Sequence, residues 1–248
     1  MTKKELSNIR KLAQKKHRLE LGLFVAEGEK AINEIIDGGM ILQKLYATES
    51  SSLKPNSHVE IITKEEMSKI SFLQTPSSLF GLFKLPRDVH SKTITTNELV
   101  LMLDGVQDPG NLGTIIRLAD WFGITKIFCS FSTADCFNPK VVQATMGAIA
   151  RVSIVYTDLI EMLKNAQQNN IPICGTFMNG DNIYTTALPQ NGILLMGNEG
   201  SGITTEVESL VTHHLTIPSF KDDNVESLNV AIATSICCSE FRRRLLNK

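Results

Sequence analysis

A chain of 248 residues that is 42% hydrophobic, with 25 basic and 26 acidic residues and a net charge of −1, holds enough material for two modest cores and has no bulk charge that dictates its partner. No apolar run reaches the ~18 residues that a bilayer span needs, and the basic N-terminus lacks the apolar segment that would make it a secretory signal. The five cysteines, Cys129, Cys136, Cys174, Cys237 and Cys238, are odd in number and form no C-x-x-C pair. They point to a cytoplasmic protein without a disulfide framework or a metal site.

The first eighteen residues carry Lys3, Lys4, Arg10, Lys11, Lys15, Lys16 and Arg18 against the single acid Glu5. Asn8 to Arg18 reads as a basic helix, either a solvated face or a strip of phosphate contacts. Glu27 to Ile36 reads as an amphipathic helix stopped by Gly38-Gly39. Strands follow at Leu42 to Ala47 and Val59 to Ile62, and Thr63-Lys64-Glu65-Glu66 has the capping-box pattern that opens a short helix. A third strand at Leu79 to Leu85 completes a small α/β domain over residues 1–90. The polar stretch Arg87 to Asn97 marks the linker, drawn at 91–98.

Residues 99–248 read as the second domain. It opens on Leu99 to Leu103, a run too apolar to alternate. Further strands are predicted at 126–129, 152–155, 173–177, 193–196 and 215–217, with helices at 111–122, 139–148, 158–169, 203–210 and about 225–246. Continuous apolar strands separated by helices imply a mostly parallel sheet covered on both faces. In such sheets ligands gather beyond the carboxyl ends of the strands, where the loops 104–111, 197–202 and 218–228 converge.

Those loops carry the informative residues. Met196-Gly197-Asn198-Glu199-Gly200-Ser201-Gly202 is a strand running into glycines. It lacks the Lys-Ser/Thr of a phosphate loop and holds a carboxylate that would repel phosphate. Asp104 to Gly113 does not match the G-x-G-x-x-G of a dinucleotide-binding dehydrogenase. Asn111 opens a helix with Arg117 six residues on, and Ser227 and Asn229 stand at the entrance of the last helix. Taken singly, each has a plain structural reading: a tight turn, a snorkelling arginine beside Asp120, an N-cap pair.

In this order and spacing, Asn111…Arg117, Gly197-Asn198-Glu199-Gly200-Ser201-Gly202 and Glu226-Ser227-Leu228-Asn229-Val230-Ala231 resemble the SpoU (TrmH) family of RNA ribose 2′-O-methyltransferases, within the SPOUT superfamily. The resemblance implies a trefoil knot in the C-terminal domain, S-adenosyl-L-methionine as cofactor, rRNA or tRNA as substrate, and a homodimer. It implies catalytic roles for Asn111, Arg117, Glu199, Ser227 and Asn229, and cofactor contacts from Thr176, Met196, Gly197, Ile217 and Leu228. Phe24-Val25-Ala26-Glu27-Gly28 and the helix after it resemble, more loosely, the opening of the family's substrate-binding domain. A non-catalytic RNA-binding or ribosome-assembly factor on the same fold is the alternative.

Overall fold

The computed structural model describes residues 1–48, 59–86, 93–220 and 227–246. In chain order the elements are α1 (Lys3–Lys11), α2 (Lys15–Leu21), β1 (Leu23–Glu27), α3 (Glu29–Asp37), β2 (Leu42–Ala47), β3 (Val59–Ile61), α4 (Lys64–Ile70) and β4 (Leu79–Lys84). There follow β5 (Leu99–Leu103), α5 (Pro109–Trp121), β6 (Lys126–Cys129), α6 (Pro139–Thr145), β7 (Ser153–Tyr156), α7 (Leu159–Gln168), β8 (Ile173–Asn182), β9 (Gly192–Met196), α8 (Thr205–Glu208), β10 (His213–Thr216) and α9 (Val230–Leu246). They form two compact units, Met1–Val89 with Asp135–Arg151, and His90–Ala134 with Val152–Lys248. Residues 87–92 of the expected linker region lie outside the described residues.

The first unit is built on a four-stranded sheet of order β1-β4-β2-β3, antiparallel except between β2 and β3. Ile9, Leu12, Val25, Tyr46, Met67 and Phe80 fill its core. The basic N-terminus is two helices, not the single one expected over Asn8 to Arg18. The chain turns between them because Leu12 sinks into the core and Arg18 folds back to donate to the carbonyls of Leu12 and Ala13. Arg18 is 2% exposed and paired with Asp135, so it is no part of a solvated basic face.

Glu27 likewise ends a strand instead of opening a helix. It pairs in register with Phe80, and its carboxylate accepts from Ser71 Oγ at 2.6 Å and the Phe72 N–H at 2.7 Å. Burial pushes this carboxyl above the ordinary range, against the pull of those two bonds. The capping box of α4 forms as expected, with Thr63 Oγ1 and the Glu66 carboxylate each receiving a backbone N–H at 3.1 Å. The helix expected at 139–148 breaks at Met146 and Gly147, whose φ values are 52° and 95°, and resumes as a 3₁₀ turn at Ala148–Ala150. Close approach enforces the break, since a Cβ on Gly147 would lie 2.3 Å from Glu34 Cβ on α3.

The second unit is a six-stranded, all-parallel sheet of order β10-β8-β9-β5-β6-β7. Val100 and Met102 of β5 face a core shared with Leu159 and Leu163 of α7 and Val207 of α8. Leu99, Leu101 and Leu103 are also buried on the opposite face, which is left to α5 and α9. Burial on both faces is why β5 and β9 read as unbroken apolar runs.

Several boundaries move from their expected places. β8 extends to Asn182 because, after a register shift, Leu215 and Thr216 of β10 pair with Asp181 and Asn182. The helix expected at 203–210 shrinks to α8, four residues long. α9 begins at Val230 rather than 225, with residues 227–229 non-helical and 221–226 outside the described residues. α5 and α9 lie side by side and parallel: Asn229 meets Asn111 at their starts, and Arg242 Nε donates to the Phe122 carbonyl at 2.8 Å at their ends. Among the described residues no helix is long and apolar enough to cross a membrane.

Candidate active site

The site grows out of the strand ends at the carboxyl edge of the parallel sheet. Strand β9 ends at the buried Met196, and Gly197 makes the turn. No side chain fits there, because a Cβ would lie 2.3 Å from Gly202 C and 2.4 Å from Ile203 N. Asn198 holds the loop that follows. Its Oδ1 accepts from the N–H groups of Gly200 and Ser201 at 2.9 and 3.0 Å, and its Nδ2 donates to the Gly105 carbonyl at 2.6 Å. Asp104, 5% exposed just beyond β5, fastens the far end by accepting from Thr204 N and Oγ1, both at 2.8 Å.

From this loop Glu199 reaches to the start of α5. Its Oε1 accepts from Asn111 Nδ2 at 3.0 Å and the Asp108 N–H at 3.3 Å, and its Oε2 from the Gln107 N–H at 3.2 Å. Burial pushes the Glu199 carboxyl up, but the Asn111 amide and the backbone N–H groups outweigh it and hold the group below the ordinary carboxylate range. Asn111 passes the contact on, its Oδ1 accepting from Asn229 Nδ2 at 2.9 Å. Asn229 Oδ1 then caps α9 through the N–H groups of Ala231 and Ile232, at 2.9 and 3.2 Å. One chain of side-chain bonds thus ties the glycine loop, α5 and α9 together.

The remaining expected site residues fall into two groups. Arg117 and Ser227 are exposed and make no hydrogen bond or ion pair among the described residues. Arg117 lies on the outer stripe of α5 with Thr114 and Trp121, at helical spacing. Thr176 is half-buried, 3.6 Å from the Met196 sulfur through its Oγ1. Ile217 is half-buried just past β10, and Leu228 is 51% exposed before α9. Among the described residues no cluster of three or more His, Cys, Asp or Glu gathers to hold a metal, and all five cysteines are buried and outside any disulfide.

Sequence reasoning assigned no role to Asn198, Asp104 or Asp108, the last of which caps α5 by accepting from the Asn111 N–H at 2.8 Å. Asp108-Pro109 before a helix is a readable cap signal, and it starts α5 two residues earlier than expected, leaving Asn111 inside the first turn. Chemically, the strand ends offer backbone groups, a hydroxyl and apolar side chains, with a carboxylate in place of the lysine that phosphate binding needs. That donor set suits an uncharged purine and a methionine chain better than a nucleotide phosphate.

Residues 98–239 match the SpoU rRNA Methylase family, and residues 3–81 match the MRM3-like substrate binding domain. The chain is 27% identical over 238 residues to the 23S rRNA (guanosine(2553)-2'-O)-methyltransferase RlmP of Bacillus subtilis, covering 94% of each chain. Among solved structures, a TrmH-family protein from Porphyromonas gingivalis superimposes with a TM-score of 0.87 at 39% identity, covering 98% of this chain and 99% of that one. An AdoMet-bound rRNA methyltransferase from Sinorhizobium meliloti superimposes with a TM-score of 0.83 at 31% identity, covering 99% and 96%. With more than half its length matched by the family's own pattern, and with near full-length superposition on these relatives, the chain belongs to the SpoU rRNA methylase family.

Proposed function

We propose that this protein transfers a methyl group from S-adenosyl-L-methionine to a ribose 2′-hydroxyl of ribosomal RNA. The observation that carries the reading is the Asn229–Asn111–Glu199 relay, which fixes the glycine loop and two helix starts around one place at the strand ends. Thr176, Met196, Gly197, Ile217 and Leu228 are the residues to hold the cofactor, through backbone groups and apolar contact. The cofactor supplies an electrophilic methyl group when bound.

The chain's own task is to make a poor nucleophile react. A 2′-hydroxyl needs alignment with the methyl group, stabilisation of the negative charge that develops on oxygen, and release of its proton to solvent water as the methyl passes from sulfur to oxygen. Glu199 and Asn111 act as positioning residues, because their polar atoms are engaged with one another and with backbone. Arg117 is the cation left to grip an RNA phosphate and stabilise the alkoxide. A guanidinium, with a pKa above ~12, serves that role better than the role of base. Ser227 and Asn229, at the rigid start of α9, orient the ribose.

The same reading assigns RNA binding to residues 1–90 and catalysis to 99–248, in a cytoplasmic protein. RNA binding is supported by the exposed Lys3, Lys4, Arg10, Lys11, Lys15 and Lys16 of α1 and α2. A homodimer joined through α5 and α9 is supported by the apolar surface these helices leave uncovered: Trp121 is 83% and Ile232 55% exposed. Arg117, on the stripe of Trp121, then stands where a second copy meets the site. The trefoil knot belongs to this reading through the family whose pattern residues 98–239 match.

The test is transfer of radiolabelled methyl to ribosomal RNA from cells lacking the protein, with Arg117→Ala alongside. Alkali-resistant 2′-O-methyl dinucleotide from the wild type, reduced by orders of magnitude in Arg117→Ala while cofactor binding by calorimetry persists, is the expected result. Equal turnover by both proteins overturns the role of Arg117. Cofactor binding with no transfer to rRNA-containing particles overturns the enzymatic reading.

A further inference from the structure

We infer that Phe131 is a stacking platform for a base of the RNA strand beside the reacting nucleotide, an inference that rests on the proposed RNA substrate. Phe131 follows β6 in Ser130-Phe131-Ser132-Thr133 and is 73% exposed, in a unit whose aromatic Phe128 is wholly buried three residues earlier. A large exposed aromatic on a loop is usually costly and usually mobile. Here the loop is held rigid on every side of it.

Ser130 N donates to the Leu103 carbonyl at 2.9 Å, and Thr133 N to the Ser130 carbonyl at 3.1 Å. Ser130 Oγ bonds Ser132 Oγ at 2.9 Å and Thr133 Oγ1 at 3.1 Å, and Ala134 N donates to the Val106 carbonyl at 2.9 Å. The turn therefore presents one ring to solvent with little conformational freedom in its backbone, as a recognition residue requires.

Its place in the fold supplies the ligand. The turn stands at the carboxyl edge of β6, which pairs with β5, and it is fastened to the loop that leads through Asp108 into α5: Ser130 Oγ accepts from the Gly105 N–H at 2.9 Å. Gly105 is the meeting point, for a Cβ built there would lie 3.4 Å from Ser132 Oγ and 3.7 Å from Asn198 Cβ. The residue after Phe131 and the residue before Glu199 thus flank the same glycine. A ring displayed beside the reaction site of an RNA-modifying enzyme matches the way single-stranded RNA is read, by stacking unpaired bases on aromatic faces.

The experiment uses the full chain. Phe131→Ala, Phe131→Leu and Phe131→Trp are compared for methyl transfer to unmodified ribosomal RNA. Phe131→Trp is also made with Trp121→Phe, so that the sole tryptophan of the chain sits at 131. Stacking predicts a rise of about five- to one-hundred-and-fifty-fold in KM for RNA in Phe131→Ala, a comparable rise in Phe131→Leu, near-wild-type behaviour in Phe131→Trp, and unchanged cofactor affinity. It further predicts quenching of the tryptophan at 131 by a twelve-nucleotide single-stranded RNA.

Full activity in Phe131→Leu, or an RNA complex seen by anisotropy without quenching, overturns the inference. A shift from dimer to monomer in Phe131→Ala assigns the ring to a second copy of the chain and also overturns it. Failure of the function itself reads differently, as absence of methyl transfer by the wild type, and the quenching measurement still decides the stacking.

Discussion

Asn198 shows how a single uncharged side chain shapes the site. It satisfies two backbone donors of its own loop and one carbonyl of the neighbouring loop, so the turn after β9 exists in one form. Asn198→Ala leaves these groups without partners. It is expected to lower stability by about 2 kcal/mol and to weaken cofactor binding at least tenfold, checked by thermal unfolding and calorimetry on the same samples. Unchanged cofactor affinity would mean that the loop keeps its shape without Asn198. The motif containing Asn198 was legible in the sequence, but its role was not, because an Asx turn depends on where the next backbone N–H groups point. Arg18 is the converse case. Its charge was legible and its burial was not, since nothing local announces that Asp135, far along the chain, will meet it.

At the scale of elements, α9 is secured at its far end by a buried carboxylate. Glu240, 4% exposed, accepts from Arg243 Nε and Nη2 at 2.7 and 2.8 Å and from Arg244 Nε at 2.8 Å. Arg244 also donates to the Ile183 carbonyl at 2.7 Å, just beyond β8. The Arg243 bond, with that of Arg244 and against the opposing burial, draws the Glu240 carboxyl down from 4.5 to about 2. A depressed carboxylate stabilises the fold fully above its unfolded value and loses that contribution as pH falls through the folded one. The melting-temperature gap between wild type and Glu240→Gln should therefore be constant from neutral pH down to about 5 and close progressively between 4.5 and 2. A gap independent of pH across that window would remove the ion pair from the account. Strands and helices of the second unit were readable because β5 and β9 are apolar throughout. β1 was missed because five residues ending in Glu27 do not look like a strand until Ser71 and Phe72 supply that acid with donors.

For the molecule as a whole, the two α/β units and the parallel sheet of the second follow from pattern. What each amphipathic face packs against does not. The apolar residues Val141 and Val142 announce that α6 is buried on one side, but not that residues 135–151 cluster with the N-terminal sheet. Trp121 poses the same question on the outside of α5. If a second copy covers it, Trp121→Glu should convert a dimer to a monomer in sedimentation at micromolar concentration while the far-ultraviolet spectrum is unchanged, and turnover should fall with dimer content. A wild-type protein that sediments as a monomer, or a Trp121→Glu dimer, would exclude α5 as the contact.

The parallel pairing of α5 and α9 has an electrostatic consequence. Side by side and codirectional, the two helices place like ends together, each carrying about half an elementary charge. Their positive ends add at the start of the site, and two carboxylates lie against them: Glu199, bonded to one helix start directly and to the other through Asn111, and Asp108, which caps α5. On the proposed reading, an RNA phosphate approaching these helix starts would meet a field already offset by carboxylates, and an exposed cation such as Arg117 would be needed to hold it. The glycine loop, with its own carboxylate, would then repel the polyanion and be left to an uncharged purine.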